Sequence, residues 1–248
     1  MRFFPTLRRF SADALYNSLT NIDGLDHLPE DAEFIGIGAT KKKLSLSGLA
    51  RFKALQRLYI EGQTKDIEVV GELQNLKSLT LRSVTLPNLA LLRPLRQLRA
   101  LDLKLGGTKD LSLLPEIGKI EYLELWMVKG LSDLSPVGEL PSLEYLFLQS
   151  LRQVRELPNM AGMSSLTRVW LETMKGLSDM SPLAEAPHLR DLAVVDMSHL
   201  QPEDFEPLVG HPALRSLRAG LGSRRKNGAV HELIKLPVDG DWRKPIGI

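Results

Sequence analysis

The sequence predicts an α/β solenoid in which a short strand and a turn-rich segment repeat along the chain. Nine apolar-x-apolar triplets recur at steps of 21 to 25 residues within the 248 residues, and self-similarity at a fixed period of about 20–29 residues is typical of such solenoids. Between the triplets, apolar residues recur at every third position. The triplets are Ile35–Ile37, Leu58–Ile60, Leu79–Leu81, Leu101–Leu103, Leu123–Leu125, Leu146–Leu148, Val169–Leu171, Leu192–Val194 and Leu217–Ala219.

The segment from Leu131 to Leu148 illustrates one repeat. Its apolar residues are spaced by three as far as Leu146, and the last step, to Leu148, is two. A spacing of three suits 3-10 turns, whereas a spacing of two belongs to a strand. Pro136 follows Ser135 as the first residue of a short helix would follow its cap. Each repeat is therefore predicted to be a turn-rich limb followed by a short strand.

This pattern resembles the leucine-rich repeats of the short, 21–23-residue, bacterial internalin-like class, over roughly 34–221. The resemblance implies a parallel concave sheet of about nine strands and a convex side of turns and short helices. The family usually carries Asn or Cys three residues after each Leu-x-Leu pair, and this chain does not, so its turns must satisfy their buried backbone groups otherwise. The positions concerned are Thr40, Gln63, Val84, Gly106, Val128, Leu151, Met174, Met197 and Gly222.

The two ends depart from the period and are predicted to be caps that cover the open core. We assign 1–33 to an amino-terminal cap, 34–222 to the repeats and 223–248 to a carboxy-terminal cap. In the first cap, apolar residues at helical spacing after Ser11 predict a short helix with Ser11 as its cap. In the second, 223–228 is predicted to be a basic turn, and 229–236 a closing strand or helix.

Composition excludes several classes of function. The net charge of +2 gives no long-range field that would attract nucleic acid or an anionic membrane. No window approaches the roughly 18 apolar residues of a membrane span, and the amino-terminal residues lack the apolar run of a signal peptide. The absence of cysteine excludes disulfides and thiolate chemistry and fits a reducing compartment, so we expect a cytoplasmic protein.

No arrangement of residues indicates catalysis, a cofactor or a bound metal. The five histidines are scattered without metal-ligand spacing. Asp102 and Glu124 would lie on adjacent strands, but such a pair outside a deep pocket is more often a binding or solvated feature. The glycine-containing segment 36–43 misses the spacing of a phosphate loop. We therefore predict a protein that is not an enzyme.

The residues between and beside the triplet leucines should face away from the core. Five aromatics gather there on three adjacent strands: Tyr122, Trp126, Tyr145, Phe147 and Trp170. At about 150–250 Å² each, they could bury on the order of 750–1,250 Å², and a standard interface needs about 800 Å² per partner. We therefore predict that these aromatics bind a partner. Self-association through this face and simple packing within the sheet are the alternatives.

Charged residues on the same side are segregated, which would orient a partner of complementary charge. Basic residues lie on repeats two to four: Arg57, Lys77, Arg82, Arg99 and Lys104. Acidic residues surround the aromatics: Glu121, Glu124, Glu144 and Glu172. The predicted partner-binding residues are therefore the five aromatics with Glu124, Glu172, Arg57, Tyr59, Arg82 and Lys104. Chance clustering on a solvated face is the alternative.

These observations predict a protein–protein interaction module that binds a partner protein on its concave face. The resemblance allows two narrower roles, a bacterial immunity protein or a regulatory adaptor. The alternative function is a receptor for a small molecule or glycan that stacks on the concave aromatics.

Overall fold

The structure is a computed structural model that describes residues 6–12, 20–238, 240 and 242. The chain divides into two compact units, Met1–Ile120 (unit 1) and Glu121–Gly247 (unit 2). Each unit is built from a short strand and a turn-rich segment in alternation.

Unit 1 contains five parallel strands among its described residues. They are β1 (Arg9–Ala12), β2 (Phe34–Ile37), β3 (Arg57–Glu61), β4 (Ser78–Arg82) and β5 (Ala100–Lys104), and each pairs with the next. Leu79 is opposite Leu58 on one side and Leu101 on the other, so the triplets are in register. The connections contain 3-10 helices at Asp23–His27, Ser47–Arg51, Ile67–Glu72, Ala90–Leu92 and Leu114–Glu116.

Unit 2 repeats this arrangement with five more parallel strands within the described part of the chain. They are β6 (Tyr122–Trp126), β7 (Tyr145–Gln149), β8 (Arg168–Glu172), β9 (Asp191–Val195) and β10 (Ser216–Ala219). The connections contain the short helices α1 (Ser135–Gly138) and α2 (Ser181–Ala184) and a 3-10 helix at Pro202–Leu208. The helix α3 (Arg224–Ile234) follows the last strand.

The predicted leucine-rich-repeat fold is confirmed in both units, because every triplet lies in a strand and its outer two residues point into the core. Leu123, Leu125, Leu146 and Leu148 are all 0% exposed. The apolar residues spaced by three, such as Leu143, are also buried. Because the triplet residues and the limb residues are both buried, the core of each unit lies between the sheet and the turn-rich limbs. Burial of one such side chain contributes about 1.5–3 kcal/mol.

One strand, β1, was not predicted, and the assignment of Ser11 as a helix cap is wrong. Ser11 lies in β1 and is paired with Gly36 of β2. Phe10 and Ala12 in the same strand are opposite the triplet residues Ile35 and Ile37, so β1 extends the sheet by one strand. The remainder of the predicted capping helix, 13–19, lies outside the described residues.

The turns after the strands are satisfied by backbone groups rather than by an asparagine ladder. Six residues that follow strands adopt left-handed backbone conformations with φ between 50° and 56°: Ser83, Leu105, Met127, Ser150, Thr173 and Asp196. The amide of Ser150 donates to the carbonyl oxygen of Glu172 at 2.9 Å, and that of Thr173 donates to Val195 at 3.0 Å. The turn amides thus bond to the end of the next strand, at the cost of a conformation that non-glycine residues rarely adopt.

One ladder position of unit 1 keeps an amide side chain. Gln63 is 0% exposed, and its Oε1 accepts a hydrogen bond from the backbone amide of Leu44 at 2.8 Å. Its Nε2 donates to the carbonyl oxygen of Gly38 at 3.0 Å and to Thr40 Oγ1 at 2.9 Å. A glutamine therefore bonds neighbouring turns here, as asparagine does in the family.

An aspartate lies just before each of the short helices α1 and α2. Asp133 accepts from the amide of Ser135 at 2.8 Å, and Asp179 accepts from the amide of Ser181 at 2.8 Å, at the first residues of α1 and α2. Hydrogen bonds from the side chains of the same serines, and then from these backbone amides, lower the pKa of both carboxyls. They cap amides that the short helices leave unsatisfied.

The predicted basic turn at 223–228 is wrong, because these residues begin α3. Ser223 has extended backbone angles, and its side chain accepts from the amide of Lys226, as a helix cap does. The Lys226 ammonium donates to the carbonyl oxygens of Ser198 and Leu200 at 2.9 and 3.0 Å. Of the two conformations expected for 229–236, α3 selects the helix and ends at Ile234. The cap boundaries themselves stay predictions.

Candidate functional site

The strands β6, β7 and β8 bring the five predicted aromatics onto the outer side of the unit 2 sheet. Tyr122 pairs with Tyr145, and Phe147 pairs with Trp170. Trp126 is the last residue of β6. We call these five residues the aromatic face. Their grouping follows from the register, since side chains at equivalent positions of paired strands share one side.

The aromatic rings of this face pack against each other in two pairs. The Tyr122 and Tyr145 ring centroids are 5.3 Å apart with planes at 83°, which is an edge-to-face contact. The Phe147 and Trp170 centroids are 5.8 Å apart with planes at 16°, which is a stacked contact. Each such pair contributes about 0.5–1.5 kcal/mol beyond area burial. The rings are therefore held in defined orientations before any partner arrives.

The expectation that all five aromatics face solvent is wrong for the two tyrosines. Tyr122 and Tyr145 are each 2% exposed, and Glu124 beside them is 6% exposed. Trp126, Phe147 and Trp170 are half-buried. The surface that a partner can contact directly is therefore centred on these last three side chains.

The two predicted acidic contacts hold the aromatic side chains. Glu172 Oε2 accepts from Trp170 Nε1 at 2.9 Å, and Glu172 Oε1 accepts from Gln149 Nε2 at 2.6 Å. Glu124 Oε2 accepts from the Tyr122 hydroxyl at 2.9 Å. Hydrogen bonds to a charged acceptor are the stronger kind. Both carboxylates therefore orient the aromatic face, and Glu172 fixes the indole of Trp170.

Two arginines that were not among the predicted site residues lie over the rings. The Arg168 guanidinium is 5.4 Å from the Tyr145 ring centroid, and the Arg218 guanidinium is 5.8 Å from that of Trp170. Both distances are within the range of a cation–π contact. The register could have found them, because Arg168 and Arg218 occupy the same outer columns as the aromatics.

A sixth aromatic, Trp242, reaches this face from the carboxy-terminal segment. Its ring centroid is 5.4 Å from that of Trp170, with planes at 78°. Its carbonyl oxygen accepts from the Tyr145 hydroxyl at 3.3 Å. Trp242 lies 97 residues from Tyr145 in sequence and outside the repeat, so periodicity carried no signal for this contact.

In unit 1, two of the predicted basic contacts are paired with carboxylates of the same sheet side. Arg82 Nε lies 3.1 Å from Glu61 Oε1, and the Tyr59 hydroxyl donates to Glu61 Oε2 at 3.0 Å. Lys104 Nζ lies 3.7 Å from Asp102 Oδ1. The predicted positive charge is therefore balanced locally at these two positions.

Arg57 and Asp102 of this region have further structural contacts. The Arg57 guanidinium lies 5.8 Å from the Phe34 ring. Asp102 Oδ2 accepts from the Thr80 hydroxyl at 2.7 Å. Asp102 and Glu124 are the carboxylates considered for acid–base chemistry, and each accepts a hydrogen bond from a side chain of its own unit.

Comparison with solved structures identifies the kind of fold. The chain resembles internalin C2 from Listeria monocytogenes with a TM-score of 0.52 at 22% identity, over 85% of this chain and 79% of that chain. It resembles the functional domain of InlJ from Listeria monocytogenes with a TM-score of 0.53 at 16% identity, over 89% of this chain and 45% of that chain. A third similar structure is the Listeria monocytogenes internalin InlF, with a TM-score of 0.44 at 16% identity, over 97% and 88% of the two chains. The chain has an internalin-like leucine-rich-repeat fold. No protein-family model and no curated protein matches it.

The internalin-like fold of this chain differs from the InlJ domain in one structural device. The InlJ domain includes a cysteine ladder, whereas this chain contains no cysteine. The left-handed turn residues and Gln63 bond the turns here instead.

Residues 6–12, 20–238, 240 and 242 contain no group of three or more His, Cys, Asp or Glu side chains that could hold a metal ion. Over the same residues, no helix has the length and apolar character that crossing a membrane requires.

Proposed function

We propose that this chain is a non-enzymatic module that binds a partner protein through the aromatic face of unit 2. The observation that carries the proposal is the stacked, half-buried pair of Phe147 and Trp170, with the Trp170 indole held by Glu172. Tryptophan is enriched at binding hot spots, and preorganised side chains lose little entropy on association. Leucine-rich-repeat folds are generally protein-binding, which supports the same reading.

The arrangement suits an apolar or aromatic side chain of the partner. Such a group would pack on the exposed parts of Phe147 and Trp170, while the Arg218 guanidinium over the indole offers a cation to an acidic neighbour. Strands position these residues more rigidly than loops would. The side chains of Arg57, Tyr59, Arg82 and Lys104 in unit 1 are proposed as secondary contacts.

Two narrower roles belong to this proposal: an immunity protein that neutralises a bacterial toxin, and a regulatory adaptor. Both require a stable surface that buries on the order of 800 Å² against a protein. A cytoplasmic location is proposed from the cysteine-free composition.

A receptor for a small molecule or glycan is the second candidate, and neither of two surface cavities favours it. One cavity of about 340 Å³ is lined by Met127, Lys129 and Arg152 among others. Another of about 550 Å³ is lined by His188 and Arg215 among others. Neither includes a residue of the aromatic face, whereas drug-sized ligands generally bind in concave pockets.

The test is affinity capture from an extract of the native cell, comparing the unaltered chain with Trp170→Ala. We expect the variant to lose at least tenfold of the captured partner, because hot-spot truncations cost about 2 kcal/mol or more. Val209→Ala is the matched control, since Val209 is an apolar residue that is 52% exposed outside the aromatic face. Equal capture by the unaltered chain and Trp170→Ala would rule out the proposed surface.

A further inference from the structure

The segment after α3 places Trp242 on the surface to which the proposed function assigns the partner. From this geometry we infer that Trp242 is an intramolecular ligand of the aromatic face, and that the partner binds by presenting a tryptophan from an extended segment in its place. The inference rests on the proposed function for the site, and it adds the chemistry of the partner and a competition with the chain itself.

The contacts of Trp242 define what this site accepts. The indole packs edge-on against Trp170 at 5.4 Å, and the Trp242 carbonyl oxygen accepts from the Tyr145 hydroxyl. The first contact requires an aromatic ring, while the second requires only a peptide carbonyl, which every extended segment carries. A segment with one tryptophan therefore provides both contacts.

The chain is shaped to let Trp242 sit there. A Cβ atom built on Gly240 would lie 2.3 Å from Cζ2 and 2.4 Å from Cε2 of the Trp242 indole. The indole therefore lies directly against Gly240, where every other residue type would displace the ring. Upstream, the amide of Leu217 donates to the carbonyl oxygen of Pro237 at 2.9 Å. This bond ties the segment to β10 only five residues before Trp242.

Such a short tether makes Trp242 an effective competitor. Five residues reach at most about 17 Å, so the ring stays near Trp170, and short tethers give effective concentrations on the order of millimolar. A partner segment must displace this tethered ring. The apparent affinity of the partner is its intrinsic affinity multiplied by the fraction of molecules in which the site is open.

The intramolecular contact is also imperfect, which makes displacement feasible. Trp242 Nε1 is buried and has no hydrogen-bond partner among the described residues, whereas Trp170 Nε1 donates to Glu172. The Tyr145 hydroxyl lies 3.3 Å from the Trp242 carbonyl, beyond the usual length of an O–H···O bond. A partner that supplies an acceptor for its own indole, or a closer carbonyl, binds better than Trp242 does.

The test uses the full chain and a labelled synthetic peptide with the sequence of residues 236–248, followed by fluorescence anisotropy. We expect Trp242→Ala to bind the peptide at least tenfold more tightly than the unaltered chain does, because its site is open. Gly240→Ala should also bind the peptide at least tenfold more tightly, since its added methyl group would displace the Trp242 indole while Trp242 itself is retained. Binding should disappear in the Trp170→Ala/Trp242→Ala double variant and with a peptide whose tryptophan is alanine, and Val209→Ala should bind like the unaltered chain.

Equal peptide affinity in the unaltered chain and both single variants would overturn the inference, as would binding that does not depend on Trp170 or no binding to any variant. Gly240→Ala keeps the test decisive if circular dichroism shows that Trp242→Ala is misfolded. The proposed function is judged separately, by affinity capture. If the peptide does not bind but Trp170→Ala still loses the captured partner, the aromatic face stands and only the role of Trp242 is refuted. If the peptide binds as expected but Trp170→Ala captures the partner like the unaltered chain, the proposed function is refuted.

Discussion

Glu172 links the stability of unit 2 to the orientation of Trp170, and its replacement provides a test with a calculable outcome. Glu172→Leu removes the acceptors of Trp170 Nε1 and Gln149 Nε2, which lie at 2.9 and 2.6 Å. Each bond to the charged carboxylate contributes about 1.5–3 kcal/mol, and water recovers part of this because the side chains are only half-buried. We therefore expect Glu172→Leu to lower the free energy of unfolding by about 2–4 kcal/mol.

Glu172→Gln is the matched control, because it keeps the shape and exchanges one oxygen for an amide nitrogen. The oxygen of the new glutamine can still accept from Trp170, and the Gln149 amide can turn over so that its oxygen accepts from the new nitrogen. Only the assistance of the charge is lost, so we expect a change of about 1 kcal/mol or less. The two hydrogen bonds, rather than the negative charge, should carry the stability.

Urea unfolding followed by tryptophan fluorescence measures both variants, with equal slopes as the condition for comparing them. The reasoning would be refuted if both variants lost the same stability, since charge would then be the dominant contribution. It would also be refuted if Glu172→Leu lowered the free energy of unfolding by less than about 1 kcal/mol, because the loss of two hydrogen bonds should lower it by more.

Three further predictions test the fold. Leu125→Ala should lower the free energy of unfolding by about 2–5 kcal/mol in urea, because the side chain is 0% exposed; a loss below about 1 kcal/mol would mean that the inside–outside register is wrong. Gly106→Ala should lower the melting temperature, because its Cβ would lie 2.0 Å from the carbonyl oxygen of Val84, and Gly162→Ala, with nothing within 4 Å, should not. The pKa of Asp133 is lowered in the folded chain, so its contribution to stability is present above the ordinary pKa of 3.8 and is lost as pH falls below it. Urea midpoints measured between pH 2 and 6 should therefore depend less on pH in Asp133→Ala than in the unaltered chain. An unchanged pH dependence would contradict this assignment.

The sequence predicted the repeating strands and their register because the pattern is local and is repeated many times. A triplet such as Leu146–Leu148 states which side of the strand is buried, and the next triplet states it again about 23 residues later. The period also placed Phe147 beside Trp170, which the pairing of β7 with β8 confirms. Where the pattern repeats, local spacing decides the structure.

The failures lie where a contact depends on a single, non-repeating partner. Ser11 has the local signature of a helix cap, but the free edge of β2 recruits it into β1, since pairing with a strand satisfies its backbone groups. The residues from Ser223 onward look like a basic turn, yet Lys226 gains two carbonyl partners in the last repeat when they form a helix.

The candidate site shows the same division between repeated and single features. The positions of its aromatics follow from the period, but their exposure does not, because Tyr145 contacts Trp242 from 97 residues away. The pairing of Arg82 with Glu61 follows from their opposition in the register, whereas Arg82 was predicted only as a contact for a partner. Opposite charges directly across a strand pair attract each other, and this local rule could have been applied to the sequence.

The most direct test of the central claim is photocrosslinking from the aromatic face itself. Phe147, which is half-buried and stacked on Trp170, is replaced by the photoreactive benzoyl-phenylalanine, and Val209 is replaced in the same way as the control. After irradiation in the native cell extract, a partner on this face should appear as a covalent adduct of protein mass at position 147 and not at position 209. An adduct at 209 alone, or none at 147 while affinity capture still recovers the partner, would contradict the claim that the aromatic face of unit 2 is the binding surface.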